Sequence, residues 1–194
     1  MFDSELTSGA PMESDTQRIA LGLRQGDVGV LASLVEQYQY RLVRYLIYLL
    51  GRRAGVDDLV QELWLRVLER GSSYDGQSRF EPWLFRIARN LAVDATRKRR
   101  EFSLDSNDDD VRPVTASDEP SPFALAARTE DADRLARSLE TLEPVCREAL
   151  VLRFQEDLSL QEISAIVGAP VSTVASRIYR GLATLRPQFE GEKA

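Results

Sequence analysis

Apolar residues recur every three or four positions along nearly the whole chain, which is the spacing of amphipathic helices. One stretch, at about 101–130, breaks this period: it contains SNDDD, three prolines and no sustained apolar repeat. No strand-like alternation or internal repeat accompanies the helical pattern. The sequence therefore predicts an all-α protein with two small helical domains joined by an acidic flexible linker. The expected boundaries are a flexible tail at 1–16, domains at 17–100 and 131–190, and the linker at 101–130.

Capping signals predict the helix ends in the first domain. Asp27 can cap a helix that runs to Gly51, and a second helix is expected from about Val56 to Arg70. A loop rich in turn formers, GSSYDGQSR, follows. A third helix is expected from about Glu81, where a proline at the next position suits the first turn.

The second domain carries the pattern of a helix-turn-helix without a wing. Ser159 and Glu162 fit a capping box, GAP supplies a turn, and Ser172 is expected to cap the second helix. Its predicted inward positions include Leu182, and its outward side presents small hydroxyl and basic residues suited to the major groove. An ordinary helical hairpin is the alternative. The candidate DNA-contacting residues are Ser172, Thr173, Ser176, Arg177 and Arg180.

Composition excludes several classes of function. The 194 residues contain no histidine and one cysteine, Cys146, which excludes an internal disulfide and the usual Cys/His zinc sites. Cys146 lies in an apolar stretch, where it is either a core residue or a redox sensor. A carboxylate enzyme using Asp57, Asp58 and Glu62 would lack a histidine or metal-ligand cluster. We expect no enzymatic activity, metal, cofactor or small-molecule substrate.

The hydropathy of the chain and its N-terminal segment do not suggest a membrane protein. No run of about 18 apolar residues exists, and the acidic N-terminus lacks the regions of a signal peptide. These observations predict a cytoplasmic protein.

Charge is strongly segregated, although the whole chain carries a net charge of −6. Residues 79–100 contain seven basic and two acidic residues, whereas residues 101–131 contain nine acidic and two basic residues. Such asymmetry predicts different partners for different segments.

The helix at 56–70 has an unusual outer face. Its inward positions are apolar, and Leu65 stands among polar residues on the opposite side. The face is either solvated, with one stray leucine, or a protein-docking surface with Leu65 as its anchor. The candidate docking residues are Asp58, Gln61, Glu62, Leu65 and Glu69.

The third helix combines an apolar stripe with a basic outer face that ends in RKRR. Basic side chains on one face can neutralise phosphates, and an asparagine can hydrogen-bond a base edge. Trp83 is expected in the core rather than stacked on a base. The candidate DNA-contacting residues of this helix are Arg86, Arg89, Asn90, Arg97 and Arg100.

These segments, in this order, resemble the extracytoplasmic-function (ECF) sigma factors of bacterial RNA polymerase, a branch of the sigma-70 family. DDLVQELWLRVL is similar to their polymerase-docking helix, FEPWLFRIARNLAVDATRKRR to the helix at the −10 element, and the helix-turn-helix to the −35 reader. The resemblance covers about 17–100 and 139–187. One departure is Ala175, where a basic residue is common in the family.

The resemblance implies a protein that binds core RNA polymerase and directs it to promoters. It also implies promoter DNA and an anti-sigma factor as partners. In the family the loop after the docking helix holds a flipped −10 base, which makes Tyr74, Asp75, Gln77 and Ser78 candidates for that pocket. The alternative is a helix-turn-helix regulator that does not join polymerase, and co-purification with core polymerase separates the two.

Overall fold

The structure is a computed structural model that describes residues 10–105 and 137–190, and side chains within 15–99 and 137–187. Residues 1–9 of the predicted tail and residues 106–130 of the predicted linker lie outside the described ranges. The described residues contain helices and no strand, in agreement with the predicted all-α class. The helices are α1 (Ala10–Gln25), α2 (Val28–Leu50), α3 (Val56–Arg70), α4 (Phe80–Asp105), α5 (Pro144–Leu150), α6 (Leu160–Val167) and α7 (Val171–Glu190).

Local capping sets the ends of α2 as predicted. The Asp27 carboxylate accepts hydrogen bonds from the backbone N–H groups of Gly29 (2.8 Å) and Val30 (3.2 Å), which no carbonyl inside the helix could satisfy. At the other end Gly51 adopts a left-handed conformation with φ 66°, which glycine tolerates without steric cost. The predicted range of α3 is also confirmed.

Two helices extend beyond the predicted domain edges. Helix α1 begins at Ala10, within the segment predicted as a tail, and its residues Ala20 and Leu23 are buried against the rest of the first domain. Helix α4 continues past the basic cluster to Asp105, into the predicted linker. The start of α1 and the end of α4 are rich in polar residues. Polar residues that favour helices are also common in solvated segments, so the sequence pattern did not predict these helical turns.

The core of the first domain is built around aromatic rings from α2, α4 and the loop between α3 and α4. Phe80 packs edge-on against Tyr38 and Tyr74, with ring centroids 5.6 and 5.2 Å apart. Trp83 packs on Phe80 at 5.5 Å and is half-buried, so its prediction as a core residue is confirmed. These contacts fix the loop relative to the two helices.

The second domain contains the predicted helix-turn-helix, formed by α6 and α7. The Ser159 side chain accepts from the Glu162 N–H, while the Glu162 carboxylate accepts from the Ser159 N–H, which confirms the capping box. Gly168 ends α6 at φ 65°. The prediction that Ser172 caps α7 is wrong, because Val171 already begins this helix and the Pro170 carbonyl accepts from the Val174 N–H.

Glycine allows the close packing of α7 on α5. A Cβ at Gly181 would stand 2.7 Å from Leu150 Cδ1, closer than side chains normally approach, and 3.5 Å from Cys146 Cβ, in van der Waals contact. Leu182 was predicted to face inward but is 41% exposed. Because Gly181 faces α5, the next position along the helix, Leu182, points toward solvent. Val174, Ile178 and Leu185 instead supply the buried face of α7.

The two domains pack directly against each other. Helix α2 contacts α5, and α4 contacts α6, so the basic helix of the first domain lies against the first helix of the helix-turn-helix. Within the described ranges, none of the helices is long and apolar enough to cross a membrane.

Candidate protein-docking and nucleic-acid interfaces

The outer face of α3 exposes two leucines over a fully packed inner face. Leu65 is 59% exposed and Leu68 is 49% exposed, while Leu63 and Val67 on the opposite side are completely buried. Sequence reasoning identified Leu65 and missed Leu68, which lies three residues later and therefore beside it. The remaining predicted residues of this face are also exposed: Asp58, Gln61, Glu62 and Glu69.

Ion pairs along the helix hold part of the polar rim of this face in place. Arg66 Nη2 lies 2.7 Å from Glu62 Oε1, and Arg53 Nη2 lies 3.0 Å from Asp57 Oδ1. Exposed pairs of this kind contribute little to stability, about 0.3–0.5 kcal/mol. Their effect here is to leave Leu65 and Leu68 as an apolar centre with a charged border, the usual anatomy of a protein interface.

The loop between α3 and α4 is braced from inside by Tyr74. This side chain is 1% exposed, and its hydroxyl donates to the Ser78 carbonyl at 2.5 Å. Burial, with the nearby charges of Glu81 and Asp75, raises the pKa of Tyr74 to about 12, so the hydroxyl keeps its proton at neutral pH. Tyr74 therefore shapes the loop, and its ring offers no free face to a base.

The outer residues of the same loop are available to a partner. Asp75, Gln77 and Ser78 are exposed, and the Asp75 carboxylate accepts from the Gln77 N–H at 2.9 Å. Gly76, at φ 74°, presses on α1: a Cβ there would lie 2.9 Å from Ala20 Cβ and 3.0 Å from the Thr16 carbonyl oxygen. The extended α1 thus supports the back of the candidate base pocket.

The predicted DNA-contacting residues of α4 fall into two environments. Arg86, Asn90 and Arg97 are exposed on the outer face. Arg89 is instead largely covered, and its Nε donates to Glu148 Oε1 of the second domain at 2.8 Å. The side chain of Arg100 lies outside the described side chains.

The predicted recognition helix presents its N-terminal residues to solvent. Ser172 and Ser176 are exposed, and Thr173, Ala175 and Arg177 are partly exposed. In addition, Arg180 is exposed and its Nη1 lies 3.5 Å from Glu143 Oε2. The structure thus brings the five predicted residues together on α7, with the small hydroxyl groups near its start.

Two buried glutamates of the second domain were missed by sequence reasoning. Glu156 is 1% exposed, and its carboxylate accepts from Arg41 Nε (2.7 Å) and Arg44 Nη2 (3.4 Å). Glu148 is also buried, and it accepts from Arg89 and from the Tyr45 hydroxyl at 3.0 Å. The sequence contained one indication that Glu148 is buried: it lies within an apolar stretch, on the same side of the helix as Leu152.

Cys146 is a core residue, as expected. It is buried between α5 and α7, and burial raises the pKa of its thiol. Fewer molecules then carry the reactive thiolate at neutral pH, which disfavours a redox role.

Comparison with known proteins identifies the two domains. Residues 34–102 match the family model for sigma-70 region 2, and residues 132–185 match the model for sigma-70 region 4. The first match contains the α3 face and the loop, and the second contains the helix-turn-helix.

Several curated sigma factors are similar to this chain over most of its length. The ECF RNA polymerase sigma factor SigW of Bacillus subtilis is 30% identical over 86% of this chain and 92% of its own. SigE of Mycolicibacterium smegmatis is 35% identical over 83% of this chain and 63% of its own. The ECF sigma-E factor of Escherichia coli is 32% identical over 81% and 85%.

Solved structures share the fold. The sigma factor RpoE in complex with the anti-sigma factor NepR, from Bartonella quintana, aligns with a TM-score of 0.70 at 24% identity, over 84% of this chain and 98% of that one. CnrH in complex with the cytosolic domain of CnrY aligns with a TM-score of 0.62 at 23% identity, over 92% and 100%. Together with the family matches, these likenesses agree with the helical architecture described above. The chain therefore belongs to the sigma-70 family, as a sigma factor of the ECF type that directs RNA polymerase in transcription initiation.

Proposed function

We propose that the outer face of α3 docks on core RNA polymerase. The observation that carries this proposal is the exposed pair Leu65 and Leu68 on a helix whose other side is fully packed. Apolar anchors within a polar rim are where interfaces concentrate their binding energy. Asp58, Gln61, Glu62 and Glu69 would form the rim and set the orientation of the partner.

The loop after α3 and the outer face of α4 would contact the −10 element. Asp75, Gln77 and Ser78 offer exposed polar groups to an unpaired base, while Tyr74 positions the loop from behind. Arg86, Arg97 and Arg100 would contact phosphates, and Asn90 could bond a base edge. Arg89 can join this set only after it separates from Glu148.

Helix α7 would read the −35 element. Ser172, Thr173 and Ser176 lie near its N-terminus, so they would approach base edges, whereas Arg177 at the flank would contact a phosphate. The ion pair with Glu143 draws Arg180 toward α5. We therefore expect Arg180 to contribute less than Arg177. The absence of a basic side chain at Ala175 removes one phosphate contact that is common in the family.

We expect Arg177→Ala to weaken binding of the holoenzyme to all −35 variants alike and to lower the salt slope by about one unit, because a phosphate contact reads no sequence. Ser176→Ala should instead change the preference among bases. A binding series over −35 variants at two salt concentrations measures both effects. Arg24→Ala, which removes an exposed charge from α1, is the control. A change of base preference in Arg177→Ala at preserved overall affinity would contradict this division of roles.

We further propose that the protein acts in the cytoplasm, where RNA polymerase works, and has no catalytic activity of its own. An anti-sigma factor would act as a regulator, since the similar sigma factor RpoE is solved in complex with the anti-sigma factor NepR. The functional domains would be 17–100 and 131–190, with 101–130 as the linker between them and 1–16 as an N-terminal extension.

A further inference from the structure

The loop between α3 and α4, residues 71–79, rests on α1 at two glycines. Gly71 opens the loop and Gly76 lies in its middle, and both are buried. A Cβ on Gly71 would stand 2.9 Å from Leu23 Cβ, and a Cβ on Gly76 would stand 2.9 Å from Ala20 Cβ. Real side chains do not approach so closely. The contact moves back along α1 as the loop advances, so the loop lies antiparallel along one face of this helix.

Helix α1 is itself fixed against α2. A Cβ on Gly22 would stand 2.6 Å from Val30 Cγ2, so the two helices meet at an approach that only glycine permits. The Asp27 N–H also donates to the Gly22 carbonyl at 2.9 Å. Ala20 and Gly22 are two residues apart, about 200° around the helix, and therefore face opposite sides. A larger side chain at Ala20 would press α1 onto α2, where there is no space, so the loop would have to move instead.

The aromatic core holds the other side of the loop. The Tyr74 ring packs on Phe80 at 5.2 Å, and its hydroxyl donates to the Ser78 carbonyl. The Asp75 carboxylate accepts from the Gln77 N–H at 2.9 Å. The loop is thus enclosed between the core and α1, and its open side carries the exposed groups of Asp75, Gln77 and Ser78.

The position of Gly76 decides where its two neighbours stand. Asp75 and Gln77 are exposed on either side of it, and a hydrogen bond to a base needs a donor–acceptor distance of about 2.7–3.2 Å. A recognition group keeps such a distance only when it is held within about 0.5 Å of its productive position. The closeness of Gly76 to α1 therefore controls whether the exposed groups can reach a base.

We propose that Ala20 is a positioning residue of the −10 base pocket: its small side chain sets the depth at which Gly76 sits on α1, and thereby the placement of Asp75 and Gln77. The proposal rests on the assignment of this loop to the −10 element above. Ala20 is 4% exposed, so it acts through the loop and does not touch DNA. Helix α1 then takes part in promoter recognition as the support of the loop.

A larger residue at position 20 tests this role in the complete holoenzyme. Ala20→Val should reduce the discrimination between the preferred base and the other three at one −10 position by at least about tenfold, the effect of losing one good base contact. Binding to forked promoter probes that carry each base at each −10 position measures this ratio. The affinity for core polymerase and the preference at the −35 positions should stay within about twofold of the wild type, because neither uses the loop.

Gly76→Ala crowds the same contact from the loop side. The backbone at Gly76 has a φ of 74°, which adds strain to the added methyl group. This variant should lower discrimination at the same −10 position as Ala20→Val. The loss in the double variant should be smaller than the product of the two single losses, because both substitutions displace one contact.

Two further variants separate displacement of the loop from loss of stability. Ala20→Gly weakens α1, because glycine is a poor helix former, but it adds no atom to the contact. It should lower the Tm and yet lose less discrimination than Ala20→Val. Ala32→Val makes the same chemical change as Ala20→Val at an exposed position of α2 and should match the wild type.

The role of Ala20 would be overturned if Ala20→Val and Gly76→Ala both kept wild-type discrimination, or if the loss only followed a matching loss of affinity for core polymerase. Gln77→Ala and Asp75→Ala test the proposed function separately. If they lower discrimination at a −10 position while the two crowding variants do not, the positioning role alone fails. If they leave every −10 position unchanged, the loop is not the base pocket, and the proposed function of the loop fails.

Discussion

Leu65→Asp should weaken binding to core RNA polymerase by at least about 2 kcal/mol, or roughly thirtyfold, because it places a charge at the apolar centre of the α3 face. Leu65 is largely exposed in the free chain, so its substitution should change the stability by less than about 0.5 kcal/mol. Titration of labelled protein with core polymerase measures the affinity, and far-UV circular dichroism checks the fold.

Leu21→Asp is the matched control for this experiment. Leu21 is 55% exposed on α1, so the substitution makes the same chemical change at similar exposure on another helix. The control should retain wild-type affinity. If Leu65→Asp binds core polymerase as tightly as Leu21→Asp does, the docking face does not lie on the outer side of α3.

Ile163→Ala should destabilise the second domain by about 2–5 kcal/mol and abolish transcription that depends on the −35 element. Ile163 is completely buried at the centre of α6, and removing three of its carbons leaves a cavity that the helices cannot fully close. Ile163→Val, which removes one methyl group at the same position, should cost only about 0.5–1.5 kcal/mol and retain activity.

The positions of the tryptophans allow the loss to be assigned to one domain. Both tryptophans of the chain, Trp64 and Trp83, lie in the first domain, so their fluorescence reports its unfolding alone. Circular dichroism reports helices in both domains. In urea, Ile163→Ala should shift the circular dichroism transition much more than the fluorescence transition. Equal shifts would mean that the two domains unfold as one unit, and that Ile163 stabilises both.

Features that depend on neighbouring residues were predictable from the sequence. Asp27, Gly51 and the Ser159–Glu162 box act within one helical turn, and each was found where the pattern placed it. The inner face of α3 was also predicted, since its apolar period is regular. The error at Ser172 is also local: a serine cap there would start the helix at Thr173, two residues after its observed start at Val171.

Features that depend on distant parts of the chain were not predictable in this way. Glu156 meets Arg41 across 115 positions of sequence, and no local pattern indicates that a glutamate will be buried against another domain. The same limit applies to Arg89, whose place on the basic face was predicted but whose partner Glu148 was not. Tyr74 was expected to line a pocket, yet its packing against Phe80 and Trp83 turns it inward.

Helix faces and caps follow from short-range chemistry, whereas the state of a face, open or covered, follows from tertiary packing. The α3 face is open in the described structure, and part of the α4 face is covered by the second domain. The α3 face is therefore available to a partner as it stands, whereas Arg89 is engaged by Glu148 of the second domain.

Run-off transcription with purified core polymerase on genomic fragments tests the central claim most directly. The account predicts that the wild-type chain directs core polymerase to discrete start sites that share spaced −35 and −10 motifs, and that Leu65→Asp does not. Transcripts that are the same with and without the chain would contradict its assignment as a promoter-specificity factor.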